Sequence, residues 1–100
     1  MGRVVVRELF SSSGAFSKSQ AEILRSVIQK KIDAGEEVEL DFTGITRFTA
    51  SFFNFSTGYF IIVLGVEEYD RRITLTGLSD FGESLYRSSY NNAVRKQRDP

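Results

Sequence analysis

The sequence predicts an α/β fold: one domain over 1–100 with a small, mainly parallel sheet and the order strand, helix, strand, helix, strand, helix. Three observations carry this. Strand-like segments recur at 4–6, 37–42 and 73–76, and apolar residues recur at helical spacing in the segments that follow each of them. The second and third strands alternate apolar with polar residues, which places the helices chiefly on one face unless the strand order reverses.

The first strand rests on Val4, Val5 and Val6, a β-branched cluster between Arg3 and Arg7. Positions 10–16 lose periodicity and gather Ser11, Ser12, Ser13 and Gly14, as loops do. Ser17 with Gln20 three residues on matches a capping box, and Ile23, Leu24, Val27, Ile28 and Ile32 then define one helical face over 18–34, with Gly35 as the stop. From Glu37 the period becomes two. Val38, Leu40 and Phe42 face one way, and Glu37, Glu39 and Asp41 the other.

After a turn at Thr43 and Gly44, Thr49 or Ala50 opens a second helix that reaches Gly65. Its apolar residues, Phe52, Phe53, Phe55 and 59–64, cover most of its circumference, so it is either central or partly an interface. The charged run 67–72 reads as a surface connection, and Ile73, Thr74, Leu75 and Thr76 as the third strand, closed by Gly77. Ser79 is the expected N-cap of a third helix. Asp80 and Glu83 lie in its first turn, Arg87, Arg95, Lys96 and Arg98 toward its end, and Phe81, Leu85, Tyr86, Tyr90 and Val94 on its apolar face. Positions 95–100 are expected to fray.

Composition narrows the function. With 13 basic and 13 acidic residues, the chain has no global field to hold nucleic acid or an anionic membrane. Cysteine and histidine are both absent, which removes thiolate nucleophiles, imidazole bases and zinc-finger-type sites. No metal and no cofactor is expected. Without cysteine or a secretory segment, the expected location is cytoplasmic. The stretch 48–66 lacks formal charge, but its wholly apolar part, 59–64, is far shorter than the ~20 residues of a membrane span.

Two motifs fail on their chemistry. The segment 14–19, Gly-Ala-Phe-Ser-Lys-Ser, resembles the tail of a phosphate-binding loop, but Ser12 and Ser17 stand where glycines belong. Glu37, Glu39 and Asp41 share a strand face, and no second acidic cluster turns that solvated row into a cation site. The corner 41–54 is different. A strand end, a glycine turn and hydroxyls at a helix start converge where open α/β sheets place ligand and partner sites. A hydroxyl there can cap orphan N–H groups or accept a phosphoryl group beside the positive end of the helix dipole; physics alone favours the cap.

The run Leu40, Asp41, Phe42, Thr43, Gly44, Ile45, followed by Thr49, Ala50, Ser51, Phe52, resembles the signature of STAS domains, the fold of bacterial anti-sigma-factor antagonists. It is still more similar to the STAS-like family of unknown function, whose serine-rich motif before a phenylalanine is matched by Thr49, Ala50, Ser51, Phe52 and Asn54. The resemblance implies a non-enzymatic regulatory module. It makes Ser51 the candidate phosphorylation site, and Asp41, Thr49, Ala50, Ser51, Phe52, Phe53 and Asn54 the candidate partner contacts. The partner it implies is another protein, with a GHKL-type ATPase or serine-kinase domain. The alternative is a structural subunit that forms homo-oligomers through its aromatic helix, without modification.

Overall fold

The computed structural model describes residues 2–10 and 14–98. Its centre is a three-stranded parallel sheet of β1 (Gly2–Val5), β3 (Val38–Asp41) and β5 (Ile73–Thr76), in spatial order β1-β3-β5. The register pairs Val4 with Leu40 and Leu40 with Leu75, and sets Val5, Asp41 and Thr76 side by side at the carboxyl end. Val4, Val38, Leu40 and Ile73 are buried beneath the helices, whereas Arg3 and Thr74 are exposed on the other face. The strand order does not reverse, so the helices cover one face, as the alternation predicts.

Helix α2 (Lys18–Asp33) bridges β1 to β3. Its capping box is formed: the Ser17 hydroxyl accepts from the Gln20 N–H at 3.1 Å, and the Gln20 side chain accepts from the Ser17 N–H at 3.0 Å. Ala21, Leu24, Ile28 and Ile32 are its buried stripe. The helix ends at Gly35, in the left-handed region with φ +79°.

Six expectations are corrected. Val6 leaves the strand and opens a single helical turn, α1 (Val6–Leu9), which buries its side chain. Within the expected loop 10–16, Gly14–Ala15 forms a short strand, β2, parallel to β4 (Arg47–Phe48). Two-residue strands are too short to show a period. Ser11, Ser12 and Ser13 lie outside the described residues.

The second helix is broken at Ser56 into α3 (Ala50–Phe55) and α4 (Thr57–Leu64). The hydroxyls of Ser56 and Thr57 bond back to the carbonyls of Phe52 and Phe53, at 2.7 and 3.3 Å, a local competition that bends helices. The charged run is helical too: α5 (Val66–Arg72) turns by 118° from the preceding pair. Glu68 pairs with Arg71 and Arg72 one turn on, and buried Tyr69 holds its hydroxyl 2.7 Å from that of Tyr86. Finally, α6 (Asp80–Arg98) stays helical past 95, and its buried residues are small ones, Gly82, Ser89 and Ala93; Gly82 lets it approach Phe48 of β4, and Ser89 meets Asn54 of α3 and Gly58 of α4. Phe81 points out at 58% exposure instead of inward. Ser79 acts as expected at its start, its hydroxyl accepting from the Gly82 N–H at 3.1 Å.

The crossover from β3 to β5 carries the aromatic core. Phe42, Phe48, Phe52 and Phe53 meet at ring centroids between 5.4 and 6.4 Å, with Phe10 edge-on to Phe52 at 6.0 Å. Among the described residues, no single helix is long and apolar enough to cross a membrane.

Candidate functional site

The candidate corner starts where β3 ends. The Asp41 carboxylate accepts from the Thr43 N–H at 2.9 Å and the Thr43 hydroxyl at 2.6 Å, closing a side-chain turn, and also from the Arg3 guanidinium across the sheet. The Thr43 hydroxyl and N–H bonds, then the Arg3 bond, outweigh burial and hold the Asp41 carboxyl below its ordinary value of 3.8. Asp41 is therefore a largely buried structural anion whose carboxylate is already engaged by Thr43 and Arg3.

A depressed folded-state pKa stabilises the fold above the unfolded value and is lost as pH falls through the folded one. Asp41→Asn should thus lower the urea midpoint at neutral pH, and the gap to the wild type should close as pH drops below about 4. A gap that stays constant with pH would show that these bonds do not favour the ionised form.

Thr49 settles one of the two hydroxyl roles. Its Oγ1 accepts from the Phe52 N–H at 3.3 Å as N-cap of α3 and donates to the Phe16 carbonyl at 2.8 Å, so it ties the start of α3 to the entry of α2. Ala50 and Ser51 follow in the first turn, both exposed, and among the described residues the Ser51 hydroxyl has no hydrogen-bond partner. The two hydroxyls have separated: Thr49 caps, and Ser51 is free.

The expected aromatic contacts are corrected. Phe52 and Phe53 are fully buried, so they neither obstruct an approach to Ser51 nor dock a partner. Asn54 is exposed, but its Oδ1 accepts from the buried Ser89 hydroxyl at 2.7 Å, a bond that clamps α3 to α6. The apolar surface at the corner comes from two other rings. Phe55 lies one helical turn beyond Ser51 on the same face, 42% exposed, with the Lys18 ammonium 5.4 Å from its centroid. Phe16, 43% exposed, sits under the Arg47 guanidinium at 5.2 Å.

Phe16, Lys18 and Arg47 were not legible as site residues. What brings them to Thr49 is the β2–β4 pairing and the Thr49–Phe16 bond, neither of which leaves a sequence period. Phe55 had a usable signal: its i+4 spacing from Ser51. Together the corner offers an exposed serine, two exposed rings and two cations.

The family model of the STAS-like domain of unknown function (DUF4325) matches residues 20–83, from the first turn of α2 into α6. No curated protein and no solved structure matches the chain.

Proposed function

The chain belongs to the family of STAS-like domains of unknown function, and on that premise we propose that it is a non-enzymatic regulatory module that binds another protein through the corner around Ser51. The observation that carries this is the free, exposed Ser51 hydroxyl beside the exposed ring of Phe55. Exposed rings pinned by cations are surface a partner can desolvate. The resemblance to anti-sigma-factor antagonists supports a partner with a GHKL-type ATPase or serine-kinase domain.

Phosphorylation of Ser51 is the switch in this reading. A group of roughly −1.5 to −2 charge in the first turn of α3 is favoured by the unpaired N–H groups there and by nearby Lys18, so the free chain accommodates it. A partner that buries Phe55 would have to desolvate the same dianion, so the contact is released. Capture from the native cell with wild type, Ser51→Ala and Ser51→Asp tests this. Wild type and Ser51→Ala should retain the same partner and Ser51→Asp should lose it. Identical partner sets for all three would remove the switch.

Self-association through the helix after β3 is a second reading. Its aromatic basis shrinks to Phe55, because Phe52, Phe53 and Phe60 point inward and the half-buried Tyr59 is covered by the Arg25 guanidinium at 4.2 Å. What favours it is the exposure of Ile62 and Val63 on α4.

A further inference from the structure

Both outer strands of the order β1-β3-β5 are sheet edges, and the two are protected differently. At β1, Arg3 is drawn into pairs with Glu39 and Asp41, and Lys31 and Glu36 crowd Gly2; charge of this kind blunts an edge. At β5, the residues Ile73, Thr74, Leu75 and Thr76 carry no charge and no proline. The Thr76 carbonyl accepts from the Phe42 N–H at 2.8 Å, so Thr74 and Thr76 turn their peptide groups toward β3, and Leu75 turns its N–H and C=O outward. Beside that edge runs a groove of about 290 Å³, floored by Leu75, Leu78, Tyr86 and Tyr90 and rimmed by Glu83 and Arg87. Outward peptide groups over an apolar floor are complementary to an added strand.

We propose that the strand is β5 of a second copy, antiparallel about a two-fold axis at Leu75, which makes one six-stranded sheet. The sequence of β5 is self-complementary in that register. Leu75 opposite Leu75 of the second copy exchanges two N–H···O bonds and closes the apolar floor. Thr74 falls opposite Thr76 of the second copy on the polar face, a favoured cross-strand pair. The two-fold also sets like rims against each other. Glu83 and Arg87, paired at 3.0 Å within one copy, can then exchange partners across the interface. Equal numbers of acidic and basic residues leave no net repulsion between copies. A stable dimer buries about 800 Å² per partner, more than four strand residues supply, so the α6 surface around Tyr90 and Arg87 belongs to the interface.

Light scattering across a concentration series, with amide hydrogen exchange on the same samples, tests this. The wild type should double in mass as concentration rises, and exchange of the Leu75 amide should slow in step. Leu75→Pro removes an outward N–H, which edge strands tolerate, together with the half-buried Leu75 side chain of the groove floor; it should keep its circular dichroism and remain monomeric. Val63→Asp, on α4, should still dimerise. The proposal is overturned by a wild type that stays monomeric throughout, by a folded Leu75→Pro that still dimerises, or by loss of the dimer in Val63→Asp. Should Leu75→Pro fail to fold, the wild-type exchange decides: a Leu75 amide equally fast in monomer and dimer overturns it.

Discussion

Phe53→Ala is expected to lower the unfolding free energy by about 3–5 kcal/mol, measured by urea titration, the range for emptying a large aromatic site in a packed core. Phe53 is fully buried and central to the ring cluster: it stacks on Phe48 at 5.4 Å, meets Phe52 and Tyr86 edge-on at 5.5 Å, and touches Phe42 at 6.0 Å. Its removal therefore loosens β4, α3 and α6 together, and walls contributed by three elements cannot all collapse into the void. Small domains have about 5–15 kcal/mol in total, so the variant should sit close to unfolding. The matching expectation is that Phe55→Ala, two positions on and exposed, changes stability by no more than about 0.5 kcal/mol. Equal losses at the two sites would contradict the division of this helix into a core face and a contact face.

Gly77→Ala should be the second large loss. Gly77 follows β5 with φ +74°, a left-handed conformation that costs a residue with a Cβ about 1–2 kcal/mol. A Cβ there would also lie 2.4 Å from the Thr43 hydroxyl oxygen and 2.7 Å from the Thr43 backbone nitrogen. The clash falls on the turn that Asp41 holds, so the loss should exceed the conformational cost alone. Thr43→Ala relieves only the hydroxyl contact. The double variant should therefore lose less than the sum of the two single losses, as coupled neighbours do. Strict additivity would show that Gly77 and the Asp41–Thr43 turn are independent.

Much of this architecture is legible in the residues. Period-two alternation in Val38, Leu40 and Phe42 placed the central strand and its covered face, and Ser17 with Gln20 placed the start of α2 to the residue, because both signals are local. What escaped is set by tertiary contacts or by competition between equals. Ser56 and Thr57 break an apolar stretch through hydroxyl bonds to carbonyls, and hydrophobic counting does not register them. The run from Val66 to Arg72 looks like a solvated connection, yet Glu67 and Glu68 in its first turn and Arg71 and Arg72 in its last suit a helix dipole, a signal that was there to read.

At the site, the chain names the serine and mistakes its neighbours. Phe52 and Phe53 follow Ser51 directly, but a helix turns about 100° per residue, so adjacency says little about a shared face. The ring that shares the face is Phe55, at i+4, and the other, Phe16, arrives from 35 positions earlier through one hydrogen bond from Thr49 to its carbonyl. That bond fixes the geometry on which the proposed switch rests.

The most direct measurement of that switch is the phosphate occupancy of Ser51, by peptide mass spectrometry, in chain isolated from the native cell and divided into partner-bound and free pools. The expected result is phosphate on Ser51 concentrated in the free pool and nearly absent from the bound one. Unmodified Ser51 in both pools, or equal occupancy in the two, would contradict it.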